Sequence, residues 1–165
     1  MAKKPTKLIA IISIMSALGN VLGFLSIRLP SAPGTVVEFH LSALPALLLA
    51  VTVGPLTGAV TGALSLIIAT MKIGNIFIPF GNALLAYIAG LFSKKFKLSP
   101  PASGAAAVVP YTPYMWFACS IYGVPEPIIA FIVVKAFIEI LISCTLIEFI
   151  LLRREVKDFL VNIGR

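Results

Sequence analysis

Residues 41–71, LSALPALLLAVTVGPLTGAVTGALSLIIATM, decide the fold of this chain. They carry no charge, and as one helix they would run roughly 46 Å at ~1.5 Å per residue. A bilayer core of about 30 Å needs only ~20 apolar residues, so a single straight span overshoots. Gly54-Pro55 sits at the middle. Proline has no backbone donor and restricts the residue before it, which marks a helix end and restart. The stretch therefore reads as two short spans joined by a tight, uncharged turn.

Composition agrees. Of the 165 residues 59% are hydrophobic and only 12% charged, with a mean hydropathy of +1.07, against about a quarter charged in soluble domains. This predicts an integral membrane protein with room for one compact bundle, 1–165, and no separate soluble domain. The net charge of +7 does not point to nucleic acid, because the basic residues gather at the ends of apolar runs. Cys119 and Cys144 lie in apolar sequence without metal-ligand spacing and read as packed thiols, with no metal expected. The basic N-terminus imitates a signal peptide. The apolar run that follows is long and lacks a clear cleavage site, so it reads as a retained first span.

Working outward, the expected spans are 8–27, 38–53, 55–71, 76–92, 102–122 and 128–152. Residues 28–37, RLPSAPGTVV, read as a loop, and 93–101, SKKFKLSPP, as a polar link. Span 5 is expected to be interrupted by Pro110 and Pro113. The tail 153–165 reads as a short cytoplasmic surface helix. With six spans starting inside, Lys3, Lys4, Lys7, Lys94, Lys95, Lys97, Arg153, Arg154, Lys157 and Arg165 fall inside, ten of the thirteen basic residues. Arg28 and Lys72 fall in outer loops. That bias matches the positive-inside rule, and fusing spans 2 and 3 would destroy it. The expectation is an all-α bundle of six transmembrane helices in the cell membrane, with both termini cytoplasmic.

Small residues line span 1: Ser13, Ser16, Ala17, Gly19 and Gly23. Spaced four apart, Ser13 with Ala17 and Gly19 with Gly23 each share a face and let another helix approach. Internal packing and subunit docking both explain them. Gly54, Gly58 and Gly62 repeat the spacing in span 3, where internal packing is the better account. Span 6 carries Lys135 and Glu139, an i,i+4 pair at a depth where charges face an interior, a cavity or each other. A pocket lining and a self-neutralising pair are both open. Glu148, near Arg153 and Arg154, reads as structural. Asn75 and Asn82 flank the start of span 4 and could bind a polar ligand or satisfy backbone broken around Pro79. Tyr111, Tyr114 and Trp116 could stack on a flat heterocycle, while Tyr122 reads as an interfacial anchor. Glu38 and His40 close the first loop, where a lone histidine is more often solvated than ligating. With one histidine, no Walker-type loop and no carboxylate cluster, the chain carries no catalytic constellation and no cofactor site.

Three stretches, SIMSA (13–17), LPALLLAVTVGPLTGAVTGALS (44–65) and PFGNALLAYIAGLFSKK (79–95), together with the size and span count, resemble the substrate-binding S components of energy-coupling factor transporters. The resemblance covers nearly the whole chain. It implies a membrane-embedded vitamin-binding subunit that is not itself an enzyme. Its partners would be a transmembrane coupling (T) subunit and two ABC ATPases, onto which the loaded S component topples. It implies docking of the T subunit at Ser13 and Ala17, with Ser13 standing where alanine is commoner. It also makes 28–37 a lid over an outward pocket built mainly from spans 4 to 6. The expected ligand-binding residues are Asn75, Asn82, Tyr111, Tyr114, Trp116, Lys135 and Glu139. Lys135 suits an anionic or carbonyl group and Glu139 a cationic ring, with thiamine-like compounds or their precursors as the working guess. Two other classes stand beside this reading: an ion-coupled secondary transporter working alone, and a non-transport membrane scaffold.

Overall fold

A nine-residue helix, α2 (Leu44–Thr52), forms the axis around which the computed structural model is built. At about 13 Å it is far too short to cross a bilayer alone. It does not have to, because Pro45 through Thr52 are all buried and other helices shield it from lipid. Its C-terminal carbonyl at Thr52 accepts a hydrogen bond of 2.6 Å from the Lys94 ammonium. The structure describes residues 4–32 and 35–164. Lys3, Arg165 and the Pro33-Gly34 part of the expected loop lie outside them.

The other elements wrap this axis. α1 spans Lys4–Phe24; α3 (Pro55–Leu64) and α4 (Ile67–Ile73) follow α2; α5 is Phe77–Phe96, α6 Pro100–Ile121, α7 Glu126–Leu151 and α8 Arg154–Gly164. Among the described residues, α1, α5 and α7 are each long and apolar enough to cross a membrane, and α3 with α4 makes a fourth if the bent pair counts as one. Lipid is as apolar as leucine, so packing here depends on close backbone approach rather than on hydrophobic burial. A Cβ on Gly58 would sit 2.3 Å from Ala50 Cβ, and one on Gly62 would sit 2.8 Å from the Asn82 carbonyl. On α5, a Cβ at Gly90 would meet the Ala50 carbonyl at 2.9 Å. Gly58 and Gly90 seat α3 and α5 against the axis, and Gly62 seats α3 against α5. Cys144 is fully buried against Gly104 of α6, and both cysteines are free thiols.

Several expectations need correction. Residues 28–37 are not an irregular loop: β1 (Ile27–Ala32) pairs antiparallel with β2 (Thr35–Phe39). Pro30 is tolerated because in a two-stranded ribbon each strand is an edge. Arg28 stands opposite Glu38, with Nε 3.9 Å from Oε1. Because β2 claims Glu38 and Phe39, the second apolar run becomes helical only at Leu44 instead of at Glu38. Residues 55–71 contain a second break, at Ser65-Leu66, where the chain turns by 41°, and Lys72 belongs to α4 rather than to a loop. α6 in turn runs unbroken through Pro110 and Pro113. Neighbouring helices let a membrane helix absorb the lost bonds.

Candidate functional site

At the α2 N-terminal end of the bundle a cavity of about 510 Å³ opens between the hairpin, α1, α4, α5, α6 and α7. This volume is in the usual range for small-molecule sites. The axis helix stops short of this end, and its missing turns are the space the cavity occupies. Basic residues mark the opposite end, where Lys94, Lys95 and Lys97 close α5 and Arg153 and Arg154 lead into α8.

One wall is a charged cluster on α7. The Lys135 ammonium lies 2.9 Å from Glu139 Oε2 and donates to the Glu38 carbonyl of β2, also at 2.9 Å. The other Glu139 oxygen accepts the His40 backbone N–H. An i,i+4 spacing on one helix face brings the pair together, and both side chains are about nine-tenths buried. The pair thus does three things: it neutralises itself, lines the cavity and clasps the base of the hairpin. His40 is not solvated as expected. Its ring shares a 2.8 Å hydrogen bond with Ser42 Oγ, and burial, then the Lys135 charge, push its pKa down to about 4. It is neutral at physiological pH.

The facing wall is aromatic. Tyr111 and Tyr114 stack with ring centroids 6.5 Å apart and planes 19° from parallel. A Cβ on Gly81 would come within 2.8 Å of the Tyr114 ring, so that glycine lets α5 and α6 close on each other. The Tyr114 hydroxyl donates to the Phe77 carbonyl at 2.7 Å. Asn75 Oδ1 accepts the Phe77 N–H at 2.9 Å, and Asn82 donates to the Gly62 carbonyl at 2.9 Å. Both amides therefore satisfy backbone while lining the cavity.

Of the seven residues singled out in the sequence, the structure brings Asn75, Asn82, Tyr111, Tyr114, Lys135 and Glu139 to this cavity. It leaves Trp116 out, because that residue stands partly exposed on the outer side of α6. Sequence reasoning missed Asn20, Lys72 and Cys119 as lining residues. Lys72 sits 4.2 Å from the Phe24 ring centroid, a cation–π contact that no local motif announces. On α1 the small residues divide by face. Ser16 and Gly19 are buried, with a Cβ on Gly19 only 2.4 Å from Ser65 Oγ. Ser13 and Ala17 are exposed beside Ile9 and Ile14. Internal packing thus accounts for Ser16 and Gly19, while Ser13 and Ala17 lie on a separate, exposed face of the helix.

Comparison with known proteins adds the following. Residues 3–154 match the family described as "ECF-type riboflavin transporter, S component". A solved structure, described as the S component of a bacterial ECF transporter, superposes with a TM-score of 0.66 at 23% identity, covering 93% of this chain and 97% of that one. No curated protein matches.

Proposed function

This chain belongs to the family of ECF-type riboflavin transporter S components, membrane-embedded vitamin-binding transporter subunits, and on that premise we propose that its own cargo is riboflavin. The observation that carries the choice is the charge state of the cavity. Glu139 is already matched by Lys135, Glu38 faces Arg28, and Lys72 adds a further cation at the wall. Among the described lining residues no uncompensated carboxylate is left to hold a cationic ring, which argues against a thiamine-like ligand. A neutral tricyclic ring with an imide edge suits the site better. Its carbonyls can accept from Lys135, which has spent two of its three donors on Glu38 and Glu139. Its flat face can lie on Tyr111 or Tyr114, and its polyol chain can bond to the amides of Asn75 and Asn82.

The delivery step follows the same premise. The chain crosses the membrane six times with both ends cytoplasmic, the cavity opens outward and the β1–β2 hairpin covers it. The exposed Ser13–Ala17 face of α1 docks a T subunit, and two ATPases of that complex drive release inside. A self-neutralised Lys135–Glu139 pair suits ligand binding better than the proton coupling of a secondary transporter.

The test is native mass spectrometry of the purified protein in mild detergent, with flavin fluorescence measured in parallel. One riboflavin per chain, its emission quenched by the stacked tyrosines, is the expected result. Tight thiamine binding with no flavin, or lipid alone after exposure to a vitamin panel, would overturn the assignment.

A further inference from the structure

The break between α3 and α4 has no glycine or proline in it, yet the chain bends there by 41°. A continuous helix would join the Leu64 carbonyl directly to the Ile68 N–H, as every fourth residue does. Here a side chain from another helix stands in that gap. Asn20 of α1 donates through Nδ2 to the Leu64 carbonyl at 2.8 Å, and its Oδ1 accepts the Ile68 N–H at 3.1 Å. The second Nδ2 proton goes to the Ser16 carbonyl on its own helix, at 3.0 Å. The partners fix the orientation of the amide, since both carbonyls require donors and the N–H requires an acceptor. Both N–H donors and one acceptor position of the oxygen are used. An inserted polar group is one of the few physical causes of a sharp helix bend.

We infer that Asn20 is a positioning residue of the vitamin site: its amide, wedged into the α3–α4 ladder, sets the bend that swings α4 out to form a cavity wall. Ile68, Ala69, Lys72 and Ile73 of α4 line that wall, and Asn20 itself reaches the cavity. Without the wedge, Leu64 and Ile68 can bond to each other and α4 can straighten. Over its seven residues, a 41° swing moves the tip by roughly 7 Å at ~1.5 Å per residue. Ser16 and Gly19, on the turn of α1 that leads into Asn20, pack on Thr61 and Ser65, so the wedge is held in register with the break. The inference rests on the riboflavin reading only for what the wall does, not for the bend.

The test separates the two. In a background with Cys119 and Cys144 replaced by alanine, spin labels are placed at Met71→Cys on α4 and, in turn, at Leu25→Cys or Ile121→Cys. All three positions are exposed. Asn20→Leu, similar in volume but without polar atoms, should shift at least one label distance by several ångströms and weaken riboflavin binding about tenfold or more. Adding Ile68→Pro to Asn20→Leu removes the N–H that would heal the ladder and should restore the bent distances. Unchanged distances in Asn20→Leu would overturn the inference whether or not the protein binds flavin. Shifted distances with undiminished riboflavin affinity would overturn it as well, because α4 would then not be part of the working site. If the parent protein binds no riboflavin while the distances still shift and recover, the bend stands and only the cargo assignment falls.

Discussion

Lys135 and Glu139 form a buried charge pair that lines the cavity and holds the hairpin at once. Each group satisfies the other, and together they hold the β2 backbone at Glu38 and His40. Removing one partner of a buried pair strands the other and costs about 3–5 kcal/mol, whereas removing both is far milder. Lys135→Ala should therefore lower the unfolding temperature clearly, and Lys135→Ala/Glu139→Ala should recover much of it. Neither variant should bind riboflavin well, because both lack the ammonium. Thermal unfolding of each, with and without riboflavin, checks this: equal loss of stability in the single and double variants would mean that the pair is not coupled. The spacing of these residues was legible in the sequence, and so was their sharing of a face. Their grip on the hairpin was not, because it joins positions about a hundred residues apart through backbone atoms. Trp116 went astray for a related reason. On a helix apolar on every side, composition does not distinguish the face toward lipid from the face toward the cavity.

Elements show the same limit more sharply. Gly54-Pro55 announced the first break in residues 41–71, but the break at Ser65-Leu66 is specified by Asn20 on a different helix. The hairpin was hidden because Pro30, Pro33 and Gly34 signal a turn as strongly as they signal an irregular loop. The small-residue spacing on α1 left packing and docking open, and the structure divides those residues between a buried and an exposed face, which make contrasting predictions. Ala17 is exposed, so Ala17→Leu should leave riboflavin affinity unchanged in purified protein while cutting uptake in cells by about tenfold or more. Gly19 is buried with no space for a side chain, so Gly19→Leu should instead impair folding and flavin binding together. Uptake at the normal rate by Ala17→Leu protein would remove that face as the docking surface for a T subunit.

For the whole molecule, the decisive relation is between helix length and burial. Hydropathy and length alone register α1, α5, α7 and the bent α3–α4 pair as spans, and pass over α2 and the proline-bearing α6. Yet α2 fails the length test because it is the axis. A helix that never touches lipid can be as short as the cavity above it requires, and only the helices around it must match the bilayer. Counting α2 and α6 as crossings places the 93–101 link and α8 on one side and the cavity on the other. The basic residues Lys94, Lys95, Lys97, Arg153 and Arg154 then lie together, as the positive-inside rule requires of a cytoplasmic face. Dropping α2 from the count reverses the sidedness of everything after it, so topology tests this architecture directly. With both native cysteines replaced, Glu126→Cys should react with a membrane-impermeant maleimide on intact cells. Lys97→Cys should react only after the membrane is opened. Labelling of both positions from outside, or of neither, would mean that α6 does not cross. Reversed accessibility would mean that an odd number of crossings precedes residue 97, and the short central helix would have to be read as a re-entrant segment.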